Sequence, residues 1–346
     1  MSKILITGGA GYIGSHTAIE LFQQTDFEVV SIDNYSNSSP SALDRIAQIS
    51  GKSLKNYVVD VCNLEELRKV FAENPDIVGV IHFAAYKAVG ESVANPLKYY
   101  HNNFASLVNM LQCCQEAKVH NFVFSSSCTV YGEISPERLP VSENTITKEA
   151  NCPYGTTKLV GEQILRDFAL ANPQMKFLLL RYFNPVGGHI SGLNGEEPIN
   201  RPNNLVPMIT QTAVGIIEKM TVFGGNYPTR DGTCIRDYIH VTDIAVAHLK
   251  ALQYSIDDKI EGNLEVFNLG SGEGVSVLEA INAFEKVSEV KLNYEIGAAR
   301  PGDVAAIYSD SSKAWQKLGW KTQFSIEEMM ASAWKWQLYL KNRGGN

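Results

Sequence analysis

The chain has 346 residues, 45% of them hydrophobic and 19% charged, ordinary globular values that exclude a disordered tail, a collagen-like fibre and a disulfide miniprotein. The length points to about two domains, or to one large α/β unit with an appended lobe. Net charge is −7, with Lys and Arg scattered and no basic run. That speaks against nucleic acid as a partner and leaves any anionic ligand to a few local cations. The six cysteines (Cys62, Cys113, Cys114, Cys128, Cys152 and Cys234) form no CxxC pair and no zinc spacing, so no metal is expected. The chain opens directly on a strand pattern, and no apolar run reaches 18 residues. A cytoplasmic protein with no membrane association is the expectation.

In chain order, strands are expected at Lys3–Thr7, Val29–Ile32, Tyr57–Val59, Ile77–Phe83, Asn121–Ser125 and Phe177–Arg181. These runs are continuously apolar rather than alternating, as in strands covered on both faces. Helical spacing separates them: Ile13, Thr17 and Leu21; then Leu64, Leu67 and Phe71; then a segment opened near Pro96 that carries Leu107 and Leu111. Strand–helix alternation of this length means βαβ units, right-handed crossovers and a doubly wound parallel Rossmann sheet. After Asn184-Pro185 the texture changes, with Pro198, Pro202 and Pro207 among Gly187, Gly188, Gly192 and Gly195. That loop chemistry suggests a nucleotide-binding domain over 1–184 and a smaller ligand-binding lobe over 185–346, with some chain crossing back to the sheet. The second part reads as Leu205–Lys219 helical, Tyr238–Val241 extended, Asp243–Leu252 helical, Val266–Leu269 extended, and helices at Val277–Val287, Lys313–Leu318 and Ile326–Tyr339.

Thr7-Gly8-Gly9-Ala10-Gly11-Tyr12-Ile13-Gly14 lies between the first strand and the first helix. Gly8 suits a tight turn, Gly11 lets a pyrophosphate approach the backbone, and Gly14 lets helix and strand pack closely. The helix N-terminus then offers free N–H donors to the phosphates. Asp33 ends the second strand, some 25 residues beyond Gly8. A carboxylate there accepts from ribose hydroxyls and repels a 2′-phosphate, and Asn34 brings no cation, so NAD is favoured over NADP.

Tyr154 and Lys158 stand four apart at the start of the helix that precedes the last strand of the sheet. The spacing alone occurs by chance about once in such a chain, so placement carries the reading. Residues i and i+4 share a helix face. Free tyrosine, with a pKa of about 10, is a poor base at neutral pH, and a neighbouring ammonium is expected to lower that value. The pair then suits proton transfer on a hydroxyl while a hydride moves to nicotinamide. Ser125-Ser126-Ser127 follows the fifth strand, where such a sheet presents ligand-contacting residues, and one of these hydroxyls could share the substrate proton.

These segments, together with Lys-Ala-Val-Gly-Glu-Ser-Val (87–93), Ser-Ser-Ser-Cys-Thr-Val-Tyr-Gly (125–132), Arg-Tyr-Phe-Asn-Pro-Val-Gly (181–187), Asn-Asn-Leu (203–205), Gly-Thr-Cys-Ile-Arg-Asp-Tyr-Ile-His-Val (232–241) and Asn-Leu-Gly-Ser-Gly (268–272), resemble the UDP-glucose 4-epimerases of the extended short-chain dehydrogenase/reductase superfamily. The match runs from about Lys3 to Trp336. It implies Ser127, Tyr154 and Lys158 as the catalytic set. It implies NAD contacts from Tyr12 and Ile13, from Asp33, Asn34, Tyr35, Ser36, Asn37 and Ser38, and from Asp60 and Val61 near the adenine. Phe83, Ala84, Ala85, Tyr86, Lys87, Asn102 and Phe183 are implied to line the same cofactor. The nucleotide sugar is implied to touch Asn184, Asn204, Leu205, Thr221, Val222, Phe223, Arg236, Arg300 and Asp303. Arg236 and Arg300 also suit a diphosphate on chemical grounds. The resemblance further implies a homodimer packed through Pro96–Glu116 and Tyr154–Ala171.

Tyr86 and Cys128 depart from the Leu and Ala usual in that family. Ile307 falls at a gate beside the sugar 2-substituent, where a large aromatic is restrictive and a small residue admits N-acetyl sugars. Ile is intermediate.

The expected reaction is reversible C4 epimerisation of UDP-glucose and UDP-galactose through a 4-keto sugar, with tightly held NAD borrowing and returning the hydride. Alternatives are an epimerase that prefers or also accepts UDP-N-acetylglucosamine and UDP-N-acetylgalactosamine, a nucleotide-sugar 4,6-dehydratase, and a nonenzymatic NAD-binding protein. The dehydratase needs an additional acid and base beside the ketone, yet Ser127 is followed by Cys128 and Thr129.

Overall fold

The computed structural model describes residues 2–147, 149–199, 201–300 and 303–343. The first part of the chain runs β1 (Lys3–Thr7), α1 (Tyr12–Gln24), β2 (Glu28–Ile32), α2 (Ser41–Ser50), β3 (Lys55–Tyr57), α3 (Leu64–Glu73) and β4 (Ile77–His82). It continues α4 (Val89–Ala94), α5 (Pro96–Glu116), β5 (Asn121–Ser127), α6 (Pro153–Ala171) and β6 (Lys176–Tyr182). The second part adds β7 (Asn184–Val186), α7 (Leu205–Ala213), β8 (Met220–Phe223), β9 (Ile235–His240), α8 (Val241–Ile256) and β10 (Leu264–Leu269). It ends with β11 (Gly274–Ser276), α9 (Val277–Ser288), β12 (Tyr294–Gly297), β13 (Ala306–Ile307), α10 (Ser312–Leu318) and α11 (Ile326–Arg343). No helix among the described residues is long and apolar enough to cross a membrane.

Seven strands form one sheet in the order β10-β6-β5-β4-β1-β2-β3, and every neighbouring pair is parallel. The doubly wound Rossmann architecture expected from the alternation is therefore present. Successive residues of β1 serve opposite faces. Ile4 and Ile6 enter a core with Ile19 and Leu21 of α1, Ile244 and Leu252 of α8, and Leu318 of α10. Leu5 enters another with Leu67 and Phe71 of α3, Leu107 and Met110 of α5, and Leu165 of α6. Burial on both faces is why the strands read as unbroken apolar runs.

A third core joins Val206 and Ile209 of α7, Val222 of β8, Tyr238 of β9, Phe284 of α9 and Met330 of α11. Small sheets there pair β9 with β7, β11 and β13, and β8 with β12. Meanwhile α8, α10 and β10 pack back on the large sheet.

The structure corrects several expected elements. α2 was not foreseen, because its short apolar stripe follows a Ser/Pro-rich stretch. β3 lies at Lys55–Tyr57 rather than Tyr57–Val59: it is an edge strand paired only with β2, and Val58 is 65% exposed, so the β-branched pair misled. The helix expected over Leu205–Lys219 ends at Ala213, where Gly215 takes a positive φ of 84°. Met220 then starts a strand instead.

His16, His82, His240 and His248 are all buried. Burial pushes His16 and His82 down to about 3, and His240 and His248 down to about 4. A base with a depressed folded-state pKa stabilises the fold fully above its unfolded value of about 6.5, and that stability drains as pH falls. Asp243, raised by burial to about 6, acts in the opposite sense with Glu20 and Glu143, also raised by burial, but the lowered carboxyls of Asp231, Glu265 and Glu279 side with the four histidines. The unfolding free energy should therefore fall steeply between pH 6.5 and 4, by up to about 1.4 kcal/mol per pH unit for each histidine. His248→Gln should flatten that slope; an unchanged slope would show that His248 does not titrate with unfolding.

Candidate active site

The site is built at the C-terminal ends of the large sheet's strands, where loops of such sheets meet ligands. Gly8 has a φ of +75°, which a side chain would resist. Its N–H donates to the Ile32 carbonyl at 2.8 Å, and Gly11 N–H donates back to Gly8 O at 3.0 Å. A Cβ on Gly14 would collide with the Gly8 carbonyl, and one on Gly9 with Ser31 of β2. The turn is thus pressed between β1, β2 and the first coil of α1. Gly11 caps α1 with no side-chain acceptor, leaving the first N–H groups of a 13-residue helix to whatever anion lies there. This cradle fits a dinucleotide pyrophosphate.

Asp33 anchors the next loop. Its carboxylate accepts from Ala10 N–H (3.0 Å), Tyr35 N–H (2.9 Å) and Ser38 Oγ (2.7 Å), which ties the glycine turn to residues 34–38. Asn34, Ser36 and Asn37 are exposed along that loop. Asp60 caps the turn at Cys62, and Asn109 of α5 holds the Val61 carbonyl at 3.1 Å. Cys62 Sγ lies 3.6 Å from the Asn102 carbonyl, so the Asp60–Val61 loop and Asn102 are neighbours. After β4, Phe83 and Ala84 donate to Thr7, and a Cβ on Gly8 would press on both. Tyr86 exchanges two hydrogen bonds with Asn103, which also donates to Thr157 of α6 at 3.0 Å. Phe183, 4% exposed, donates its N–H to the Leu269 carbonyl at the end of β10.

α6 starts at Pro153, capped by the Cys152 thiol, which accepts from Gly155 N–H. Its first two turns carry Tyr154 and Lys158. Lys158 Nζ donates to the Ser125 carbonyl at 2.6 Å and sits 6.0 Å from the centre of the Tyr154 ring. The three serines diverge: Ser125 pairs with the Tyr182 hydroxyl, Ser126 donates to Glu162 at 2.6 Å, and Ser127 lies beside Tyr154.

The electrostatics correct one expectation. The ammonium was expected to lower the Tyr154 phenol. Burial instead raises it, opposed by the Ser127 hydroxyl. Burial also pushes Lys158 down to about 7, so at neutral pH the ammonium is only partly charged and pulls weakly.

Across the cleft, Arg236 Nη1 donates to Val304 O at 2.8 Å, and its Nη2 lies 3.3 Å from the Asp303 carboxylate. Ile307 pairs with Arg236 in the ladder and is buried beside Val130, Tyr131 and Phe183. The Arg300 guanidinium stacks 3.8 Å from the Phe223 ring, at the end of the strand that carries Thr221 and Val222. Asn184 Oδ1 is buried with no partner among the described residues, an acceptor left for a donor from a ligand. Asn204 holds the N-cap position of α7, with no side-chain cap bond, and the helix begins with Leu205. The two parts of the chain adjoin where Ile307 packs on Val130, Tyr131 and Phe183 and where Lys87 meets Glu196.

Some groups behind the site were not foreseen. Glu162, Arg181, Tyr182 and Asn103 hold the reactive side chains in place. Glu162 had a signal: it continues the Tyr154–Lys158 spacing by four more residues along one helix face. Arg181 and Tyr182 open the 181–187 segment that carries the resemblance, but nothing in the residue pattern assigned them this supporting role, and Asn103 had no signal.

The profile of the family described as GDP-mannose 4,6 dehydratase matches residues 5–333. The chain is 51% identical over 336 residues to the UDP-glucose 4-epimerase of Pasteurella multocida (strain Pm70), covering 96% of this chain and 97% of that one. It is 50% identical over 334 residues to the UDP-glucose 4-epimerase of Bacillus subtilis (strain 168), covering 96% of both. The UDP-glucose 4-epimerase of Bifidobacterium longum, solved in complex with NAD+ and UDP, superimposes with a TM-score of 0.92 at 48% identity over 100% of both chains. With this fold, this cleft and half of its residues shared over nearly its whole length, the chain belongs to the UDP-glucose 4-epimerase family.

Proposed function

We propose that this chain is an NAD-dependent isomerase that interconverts UDP-glucose and UDP-galactose at C4. One observation carries the reading: Ser127 and Lys158 both adjoin Tyr154, and the first helix of the sheet is left uncapped behind a glycine turn, in a chain 51% identical to an epimerase along almost its full length. In this reading residues 1–184 form the NAD-binding domain and residues 185–346 mainly hold the UDP-sugar.

NAD, when bound, would supply a reversible acceptor for the C4 hydride and positive charge to the site. The chain's residues do the rest. Tyr154 Oη takes the proton of the C4 hydroxyl and later returns it. Its phenol stands above the ordinary value in the ligand-free chain, so deprotonation waits for added positive charge in the site. Ser127 Oγ hydrogen-bonds the reacting oxygen and Lys158 orients the cofactor ribose. Arg236 and Arg300 hold the diphosphate, so a 4-keto sugar stays tethered while it turns its other face. Asp33 meets the adenosine ribose. The loops 34–38, 60–61 and 83–87, with Tyr12, Ile13, Asn102 and Phe183, enclose the rest of the cofactor.

A 4,6-dehydratase would need a carboxylate beside the ketone, whereas Cys128 and Thr129 follow Ser127 and no carboxylate is among the groups shifting Tyr154. Ile307, 5% exposed, is the residue this reading puts beside the sugar 2-substituent, where its intermediate size neither closes the site as a large aromatic does nor opens it as a small residue does.

The purified protein should convert UDP-galactose to UDP-glucose without added NAD. A 4-keto-6-deoxy product, or no turnover, would overturn the reading. Tyr154→Phe should keep the circular-dichroism spectrum and lose about 10²–10⁴-fold in turnover; undiminished turnover would remove Tyr154 from the mechanism.

We place the protein in the cytoplasm, where its six unpaired cysteines stay reduced, and propose a homodimer. Val93 of α4, Leu97 and Val108 of α5, and Val160 and Leu170 of α6 are exposed apolar groups on adjoining helices. Sedimentation should report twice the chain mass, and Val108→Asp should shift it toward one; a monomeric unsubstituted protein would refute the dimer.

A further inference from the structure

Glu196 belongs to neither ligand set, yet it joins them. It lies in the loop between β7 and α7. One carboxylate oxygen, Oε1, accepts from both walls of the cleft: from Lys87 Nζ at 3.1 Å, in the loop after β4, and from Asn204 Nδ2 at 2.8 Å, at the cap of α7. A solvent-exposed Lys–Glu pair contributes little, but this carboxylate is only 14% exposed. Its backbone is fixed too. Trp336 Nε1 donates to the Glu196 carbonyl at 2.9 Å, and a Cβ on the preceding Gly195 would collide with the Trp336 ring.

Asn204 shows what this arrangement does. An asparagine at a helix N-cap ordinarily turns its side-chain oxygen onto the first-turn amides. Asn204 makes no such cap; its amide donates to Glu196 instead. The carboxylate thereby sets the rotamer of a side chain assigned above to the UDP-sugar. A bare carboxylate near a diphosphate would repel it. The Lys87 ammonium, which also lies 5.8 Å from the Tyr12 ring centre, neutralises that charge from the cofactor side.

We propose that Glu196 is a positioning residue for the UDP-sugar, acting through Asn204 and balanced by Lys87; the inference rests on the epimerase reading above. Steady-state kinetics with UDP-galactose test it. Glu196→Ala should raise KM about tenfold, the size of one lost charged hydrogen bond, with kcat within about twofold of the unsubstituted protein. Glu196→Gln keeps an acceptor for Asn204 and should bring KM back to within about threefold. The Glu196→Ala/Asn204→Ala double variant should show the KM of Asn204→Ala alone, because both changes remove one interaction. If the alanine variant does not fold, Glu196→Ser, too short to reach Asn204, replaces it in the same comparison. An unchanged KM, a KM that Gln does not restore, or additive effects in the double variant would overturn the proposal. Failure of the unsubstituted protein to epimerise UDP-galactose would strike the epimerase reading instead.

Discussion

A guanidinium and a carboxylate, each only 3% exposed, stand directly behind the reactive side chains. Arg181 of β6 grips Glu162 of α6 with two donors, Nε at 2.7 Å and Nη2 at 2.5 Å. Ser126 of β5 donates to the same carboxylate, and the third Arg181 donor reaches Tyr131, which passes the chain of bonds to Asn268 of β10. Three neighbouring strands and the helix above them are thus locked through one buried pair. Either charge without the other would be stranded in a medium that cannot solvate it. Because Tyr154, Lys158 and Glu162 are spaced by four along α6, fixing the third fixes the height of the first two against Ser127.

That rigidity explains the electrostatics of the site. Lys158 has been drawn into the protein, with the Ser125 carbonyl and the Phe124 ring as its neighbours. Tyr154 shares the desolvation. Each group resists its charged form, so the pair is poised rather than ionised, and the cations that ligands bring decide when the phenol yields its proton. The two halves of the cleft are tied as firmly. Tyr12 donates to the Gly187 carbonyl at 2.6 Å, Asn194 donates to Ser15 at 2.9 Å, and Arg45 reaches Asn194 and Glu197. The first and second parts of the chain are held in register by these direct polar contacts.

The large sheet was legible because parallel strands covered on both faces must be apolar at every position, and because Pro and Gly punctuate the loops between them. The small elements were not. β8, β11, β12 and β13 have two to four residues each, too few to show any period. Their pairing joins segments some 40 to 75 residues apart, and nothing local encodes that. β3 went astray for a related reason: an edge strand has one partner, and the exposed Val58 mimicked a strand residue.

What the chain alone determined was therefore local. A glycine at a positive φ, a helix with no cap, and a tyrosine and a lysine one turn apart are properties of adjacent residues, and short-range sterics and helical geometry make them readable. What only the tertiary structure decided was the company these residues keep. The Glu162–Arg181 pair, the unpartnered Asn184 oxygen, the Glu196 bridge and the raised Tyr154 phenol all arise where distant segments exclude water together. Desolvation depends on the whole surrounding surface, and no stretch of sequence carries that surface by itself.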